Sequence, residues 1–212
     1  MTQLVVVAKA PVPGRVKTRL CPPCRPDQAA LVAAAALADS LAAGGATAFD
    51  PLTLLLDGRH PAPPGWRAVP QRGGDLGDRL AHGFGDSAVA GHGTVLIGMD
   101  TPQVTAELLD AARRELATVD AVLGPAEDGG WWALGLRDPR DAVVLRAVPM
   151  STPDTGALTL AALCRRGLRV GLLPTLRDVD TAADAHAVAR SCRPGSAFAR
   201  AVATHVPVGV GA

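Results

Sequence analysis

The sequence predicts an α/β protein with three layers, in which helices cover both faces of a mainly parallel β-sheet. Short apolar runs, typical of strands buried on both faces, alternate along the chain with segments of helical length. Polar clusters directly follow several of these runs, as expected where ligands bind at the carboxyl ends of parallel strands. At 212 residues the chain can bury a substantial core, and we expect one domain over residues 1–212 with its core at about 3–192.

The first predicted strand, residues 4–8, leads into a stiff, positively charged segment, here called the basic loop (residues 9–19). Two prolines stiffen the loop, and Gly14 lets its backbone approach a ligand closely. Such a loop after a buried strand suits a triphosphate or pyrophosphate. A solvated basic turn is the alternative for the cations taken alone. The loop contains four cations: Lys9, Arg15, Lys17 and Arg19.

The first half of the chain then alternates helix and strand. Asp27 is placed to cap an alanine-rich helix that ends at Gly44-Gly45, and residues 52–56 read as a second buried strand. Residues 58–74 hold four prolines and four glycines, which predicts a loop with a short strand at about 66–69. A helix begins at about Asp75, immediately after two glycines.

The second half repeats this alternation. An apolar run at 94–98 leads into Met-Asp-Thr-Pro, and the segment Gly-Pro-Ala-Glu-Asp-Gly-Gly separates two further apolar runs. A last strand is followed by Asp-Val-Asp-Thr and another helix. The predicted elements here are helices at about 104–116, 155–166, 182–190 and near 197, and strands at 94–98, 121–123, 131–136 and 169–173.

Acidic residues follow three of the predicted strands, and parallel strands would bring them to one edge of the sheet. Mg²⁺ prefers one or two carboxylates together with phosphate oxygens and water. We therefore expect Asp100 and Asp180 to hold Mg²⁺ or Mn²⁺. Asp178 should point to the opposite side if its segment is extended. Asp128, flanked by glycine, is either a substrate contact or an ordinary turn residue.

Composition excludes several classes of function. The 21 basic and 20 acidic residues give a net charge of +1, which argues against a nucleic-acid partner or polybasic membrane binding. The N-terminal apolar run has five residues and no basic segment before it, so we expect no signal peptide. We also expect no stretch to reach the roughly 18 apolar residues of a membrane span. The prediction is a cytoplasmic protein, and a homodimer is compatible with the sequence.

Other chemistries have weaker support. Cys21 and Cys24 form C-P-P-C, but a zinc site needs further ligands that the sequence does not provide, so structural thiols are expected, with a redox pair as the alternative. Ser151 and His186 lack the G-x-S-x-G context of a hydrolase nucleophile. The phosphate-binding patterns G-x-x-x-x-G-K-[ST] and G-x-G-x-x-G are also missing.

Five ordered motifs resemble a bacterial family labelled as glycosyltransferases, some linked to arsenosugar biosynthesis, with the GT-A nucleotide-diphospho-sugar transferase fold. The resemblance covers residues 3–190. The K-T-R-L end of the basic loop is also similar to guanylyltransferases that act on phospholactate, and the arrangement is similar to molybdenum-cofactor and sugar-phosphate nucleotidyltransferases. The motifs are K-A-P-V-P-G-R-V-K-T-R-L, Q-R-G-G-D-L-G-D-R-L, I-G-M-D-T-P, G-P-A-E-D-G-G-W-W-A-L-G-L and L-R-D-V-D-T-A-A-D.

The resemblance implies a nucleotide bound over the basic loop and the G-G-D-L-G segment, with metal at Asp100 and Asp180. The family usually has serine at position 99, tyrosine at 131 or 132, and tryptophan at 150, and all three departures lie on the implied acceptor side. The implied nucleotide contacts are Ala8, Gly14, Gly74, Asp75 and Gly77, and the implied acceptor contacts are Asp128, Gly129, Trp131 and Ser151.

Four cations exceed what a diphosphate needs, so the expected function is nucleotidyl transfer. The enzyme would move a nucleoside monophosphate from a triphosphate to a small phosphate- or phosphonate-like acceptor and release pyrophosphate. Lys9, Arg15 and Arg19 would be catalytic cations, with Lys17 nearest the transferring phosphate. A glycosyltransferase using a nucleoside-diphospho-sugar is the alternative, and a non-catalytic nucleotide-binding protein is the second.

Overall fold

The computed structural model describes residues 1–207 and has one seven-stranded sheet in the order β3-β2-β1-β4-β6-β5-β7. β6 runs antiparallel to both of its neighbours, and the other strands are parallel to one another. The predicted α/β class with a mainly parallel sheet is therefore confirmed. The strands are β1 Thr2–Lys9, β2 Leu52–Asp57, β3 Trp66–Pro70, β4 Gly93–Gly98, β5 Ala121–Pro125, β6 Trp131–Leu136 and β7 Val170–Leu172.

The helices follow the predicted order, with small differences at their ends. The first helix begins at Pro26, so Asp27 lies in its first turn and does not cap it. A 3₁₀ helix at Pro139–Ala147 had no clear signal in the sequence. A shorter 3₁₀ turn, Thr18–Leu20, ends the basic loop. The α-helices are α1 Pro26–Gly45, α2 Leu76–Ser87, α3 Ala106–Leu116, α4 Thr155–Arg165, α5 Ala182–Ser191 and α6 Ala197–His205.

Alternate residues of the central strand β1 enter two different cores. Leu4 and Val6 pack with α1 and α3, whereas Val5 packs with α2 and α4. This period of two is the geometry of a strand, and burial on both faces explains why the sequence of β1 is continuously apolar.

A third apolar cluster joins distant parts of the chain. Leu20, directly after the basic loop, and Val179 are both fully buried in it, together with Phe198 of α6. One face of α1 and residues of α5 complete this cluster. It therefore links the basic loop to the segment that carries Asp178 and Asp180.

Helix α1 corrects one expectation. It is long and apolar enough to cross a membrane by length and composition, with a mean hydropathy of 1.3 over its best window. Half of that window is buried within the protein. One face of the helix packs on the sheet and another belongs to the third cluster, so burial on two sides accounts for its apolar composition.

The cysteines are all free thiols. Cys24 is buried in the third cluster, where its Sγ lies 3.6 Å from the His205 carbonyl oxygen. Burial raises the pKa of the Cys24 thiol, as does the neighbouring Cys21. A raised pKa disfavours the reactive thiolate, which agrees with a packing role for this residue.

Candidate active site

A cleft of about 550 Å³ lies at the carboxyl ends of β1, β2 and β4. The basic loop forms one wall. The turn after β5 and the segment before α5 contribute the acidic residues, and the first turns of α2 and α4 complete the lining. This is the edge at which a parallel sheet places its ligands.

Lys17 extends from the basic loop to the acidic wall. Its backbone is left-handed, with φ of 49°, and its side chain is only 7% exposed. The Lys17 Nζ lies 2.6 Å from Asp100 Oδ1 and also donates a hydrogen bond to the Val179 carbonyl. The ammonium group is therefore held in one place before any ligand binds.

Arg19 makes a second link between the two walls. Its Nη1 lies 2.6 Å from Asp180 Oδ2, although the guanidinium is largely exposed. Lys9 and Arg15 also line the cleft, and within residues 1–207 neither forms an ion pair. Each of the two predicted metal ligands, Asp100 and Asp180, is thus the counter-ion of a loop cation.

Three carboxylates, here called the acidic trio, converge in the cleft: Asp128, Asp178 and Asp180. One oxygen from each lies within 4.8 Å of the other two. Burial, together with the negative charges of Asp128 and Asp180, raises the pKa of Asp178 to about 6, with Lys17 acting in the opposite direction. Of the two predicted metal ligands, Asp180 belongs to the trio. Asp100 does not belong to it and pairs with Lys17 instead.

The expectation that Asp178 points away from Asp180 is wrong. Alternation of side chains requires an extended strand, but residues 177–180 form no strand. The backbone N–H of Val179 donates to the Asp100 carbonyl at 2.9 Å, and Leu176 bridges to Ala126. These contacts tie the segment to the end of β4 and to the turn after β5, and both aspartates place a carboxylate oxygen within 4.8 Å of Asp128.

The acidic trio suits a hard divalent cation. Carboxylate oxygens are the ligands that Mg²⁺ and Mn²⁺ prefer. Burial is the largest cause of the raised pKa of Asp178, followed by the charge of Asp128, and a bound cation would act against both effects. Asp128, Asp178 and Asp180 would supply the protein's oxygens to such an ion.

The residues expected to contact the nucleotide divide into two groups. Ala8 lines the cleft, whereas Gly14, Gly74, Asp75 and Gly77 are not among its lining residues. Asp75 caps α2, because its Oδ1 accepts the Asp78 N–H at 2.8 Å. A Cβ at Gly77 would lie 2.4 Å from the Leu145 carbonyl oxygen, so close packing requires that glycine.

Three further side chains line the cleft and were not predicted from the sequence: Asp57, Gln71 and Arg79. Asp57, at the end of β2, lies 3.6 Å from Arg79 of α2. Gln71 donates through Nε2 to the carbonyls of Ala8 and Leu55, at 2.9 and 3.2 Å, so its side-chain orientation is fixed. The position of Asp57 directly after a buried strand was a usable signal, but Gln71 and Arg79 had none.

At the expected acceptor end, Trp131 and Ser151 line the cleft beside Trp132 and Met150. The Trp131 Nε1–H and the Thr101 hydroxyl are both buried, and neither has a hydrogen-bond partner among residues 1–207. Gly129 does not line the cleft, but a Cβ there would lie 1.9 Å from the Pro153 carbonyl oxygen. Gly129 is therefore needed for close packing against Pro153 at this end of the cleft.

A model of one bacterial protein family, described as "uncharacterized protein conserved in bacteria (DUF2064)", matches residues 28–152, more than half of the chain. The match leaves out the basic loop and two members of the acidic trio, Asp178 and Asp180. A comparison with curated proteins gives no sequence match.

Solved structures share the fold. A protein of Desulfovibrio desulfuricans G20 that carries the provisional name nucleotide-diphospho-sugar transferase is 28% identical, with a TM-score of 0.84 over 96% of this chain and 98% of that one. Rv0371c of Mycobacterium tuberculosis H37Rv is 23% identical, with a TM-score of 0.56 over 88% and 97%. CMP:2-keto-3-deoxy-manno-octonic acid synthetase in complex with CTP is 13% identical, with a TM-score of 0.52 over 88% and 96%. The last two likenesses concern the fold alone.

Proposed function

This chain belongs to the DUF2064 family of bacterial proteins, and we propose that it is a metal-dependent nucleotidyltransferase. It would move a nucleoside monophosphate from a nucleoside triphosphate to a small acceptor with a phosphate- or phosphonate-like group. The observation that carries the proposal is the basic loop facing the acidic trio, with Arg19 and Asp180 2.6 Å apart across the cleft. Cations opposite carboxylates suit a polyphosphate bound with a divalent ion.

In the proposed reaction an acceptor oxygen attacks the α-phosphorus. The bond from that phosphorus to the oxygen bridging the β-phosphate breaks, and pyrophosphate leaves with the electron pair. Lys9 and Arg15, which have no ion-pair partner in the described residues, would bind the β- and γ-phosphates. Lys17, held by Asp100, would stabilise the charge that develops on the leaving group.

The acidic trio would hold Mg²⁺ or Mn²⁺, which supplies positive charge to the phosphate oxygens when bound. Asp128 also orders the turn after β5, because its Oδ1 accepts the Gly130 N–H at 2.7 Å. Asp180 would exchange Arg19 for the ion, leaving the guanidinium to a phosphate. The chain's own charges would therefore be redistributed on binding.

Glycosyl transfer from a nucleoside-diphospho-sugar is the second candidate. Two tryptophans, Trp131 and Trp132, line the acceptor end beside hydroxyl groups, an environment that suits a sugar. The provisional name of the Desulfovibrio protein supports the same reading. Nucleotidyl transfer is preferred because all four loop cations line the cleft.

A turnover screen separates the candidates. Purified protein with Mg²⁺ is offered ATP, CTP, GTP and UTP together with small phosphorylated and phosphonate acids, and pyrophosphate release is measured. We expect pyrophosphate from at least one pair, and tighter binding of triphosphates than of matching diphospho-sugars. Turnover of a diphospho-sugar without pyrophosphate from any triphosphate would overturn the choice. Binding without turnover in both panels would favour a non-catalytic role.

A further inference from the structure

A charged network lies behind the start of α2, outside the cleft lining. Its centre is Asp78, whose Oδ2 accepts the backbone N–H of Gly74 at 3.0 Å. The other oxygen, Oδ1, lies 3.2 Å from Arg146 Nε and 3.3 Å from His82 Nδ1. The hydrogen bond from Gly74 is the largest cause of a lowered pKa at Asp78, so the carboxylate is charged at neutral pH.

Arg146 contacts two members of this network at once. Its Nη2 lies 3.3 Å from His82 Nε2, and a guanidinium can only donate, so that ring nitrogen accepts. The ring proton is then on Nδ1, facing Asp78, although Nδ1 is not aligned for a hydrogen bond. Arg146 therefore contacts both partners of the network, as an ion pair with Asp78 and as a hydrogen-bond donor to His82.

Residues 73–77 form the turn before and into α2, and this turn is built against the network. Gly73 has φ of 123°, and a Cβ there would lie 2.7 Å from Asp78 Oδ2. On its other side, Gly77 packs against the Leu145 carbonyl oxygen, where a Cβ would approach to 2.4 Å. Two consecutive residues of the 3₁₀ helix Pro139–Ala147, Leu145 and Arg146, thus support the turn from behind.

The turn sets the position of the side chains that enter the cleft from α2. Leu76, Arg79 and Leu80 all belong to its first turns and line the cleft. Arg79 is tied to the same turn, because its Nε donates to the Gly74 carbonyl at 3.2 Å. A shift of Gly74 would therefore move the part of the cleft wall that α2 provides.

We propose that Arg146 is a positioning residue for nucleotide binding. Acting through Asp78, it holds the turn at residues 73–77 in the shape that presents α2 to the nucleotide. The proposal rests on the proposed function, since it concerns the same cleft. It assigns a role to a side chain that does not line the cleft and belongs to a segment without a motif in the sequence.

The test compares Arg146→Gln with Arg140→Gln. Arg140 lies in the same 3₁₀ helix, is 88% exposed and pairs only with the nearby Asp138 within the described residues, so it is a matched control. Calorimetry uses whichever of ATP, CTP, GTP and UTP the wild type binds most tightly. We expect the Kd of Arg146→Gln to be about fivefold higher than that of the wild type, an effect of the size expected for losing a partly exposed ion pair. The Kd of Arg140→Gln should not change. The KM should rise by a similar factor while kcat changes less than twofold.

Equal affinity in wild type and Arg146→Gln, or equal losses in both variants, would overturn the proposal. A wild type that binds none of the four triphosphates would instead contradict the proposed function. Hydrogen exchange at the Gly74 amide then decides the role of Arg146, because exchange should accelerate in Arg146→Gln and not in Arg140→Gln. If Arg146→Gln does not fold, Arg146→Lys replaces it in the test. Lysine keeps the positive charge but cannot contact Asp78 and His82 at the same time, as arginine does. We expect about twofold weaker binding from it, and unchanged binding would overturn the proposal.

Discussion

Asp178 is a side chain whose negative charge the folded protein accommodates poorly. Its pKa of about 6 lies above the ordinary value of 3.8, chiefly because of burial and then because of Asp128 and Asp180. The folded protein thus binds this proton more tightly than the unfolded chain does. Stability from this residue is complete below about pH 3.8 and is lost as pH rises through 6.

Asp178→Asn should therefore stabilise the metal-free protein at pH 7.5. The gain should be no more than about 3 kcal/mol, and less because solvent screens a half-buried group. It should disappear near pH 4, where Asp178 is already protonated. Thermal melts in EDTA at the two pH values measure the effect, and an equal shift at both would show that the charge of Asp178 is not the cause. The same variant should bind Mn²⁺ more weakly at pH 7.5.

Lys17 has a proposed role in the reaction and also a structural contact with Asp100. Lys17→Ala should lower turnover by about 10²-fold, the scale of losing one electrostatic stabiliser. Because the side chain is nearly buried against Asp100, the variant should also melt at a lower temperature, contrary to the expectation for a free loop lysine.

The double variant Lys17→Ala with Asp100→Asn separates these two roles. Removing the unpaired carboxylate should recover part of the melting temperature but none of the turnover. Recovery of turnover would show that Lys17 acts only as the counter-ion of Asp100.

At the scale of single elements, the turn between β5 and β6 is fixed against the start of α4. Gly129 has φ of 89°, and its carbonyl accepts the Gly156 N–H at 2.8 Å, which ties the turn to the start of α4. A Cβ at Gly129 would meet the backbone of Pro153, which has no freedom to retreat. The glycine is therefore required both by its conformation and by its neighbour.

Gly129→Ala should be much more destabilising than Gly14→Ala. Gly14 also has positive φ, 75°, but no atom lies within 4 Å of its Cβ position, so only backbone strain of about 1 kcal/mol applies. Chemical denaturation of both variants measures the difference. A similar decrease in the free energy of unfolding in the two variants would mean that the turn moves freely away from Pro153.

The sequence predicted the elements better than their arrangement. Long apolar runs such as β1 and β4 were identified because period and burial are local properties. The antiparallel direction of β6 was not, since its pairing with β4 depends on residues far apart in the chain. The parallel topology correctly predicted which edge of the sheet carries the cleft. It did not predict which side chain each aspartate contacts there. The direction of Asp178 was misjudged because residues 177–180 form no strand, so the alternation of side chains along a strand does not apply.

At the scale of the whole molecule, the cleft combines cations from one end of the chain with acids from the other. Arg19 and Asp180 are 161 residues apart in sequence and 2.6 Å apart in space. Within this cleft, Arg19 and Asp180 neutralise each other before a ligand arrives. Metal ion and nucleotide should then bind weakly alone and more tightly together, because breaking the Arg19–Asp180 pair frees a cation for the phosphates and a carboxylate for the metal ion.

Arg19→Gln should tighten Mn²⁺ binding to the nucleotide-free protein, because Asp180 loses its counter-ion. About a threefold gain is expected for so exposed a pair, with weaker triphosphate binding in the same variant. Arg15→Gln is the control, since it removes an equal charge that has no ion-pair partner in residues 1–207. Calorimetric titration measures the Mn²⁺ affinity of both variants. An equal change in affinity in the two would show that net charge, and not the Arg19–Asp180 pair, is the cause.

The third apolar cluster limits how the cleft can exchange its contents. Leu20 and Val179 are fully buried, and each directly adjoins a partner of the Arg19–Asp180 pair. The two walls cannot swing apart without exposing these side chains to water. We therefore expect entry and release to proceed by rotation of surface side chains, on picosecond to nanosecond timescales, and not by hinge motion over microseconds to milliseconds. The backbone amides of Leu20 and Val179 should accordingly show no exchange broadening in NMR relaxation-dispersion experiments, with or without nucleotide.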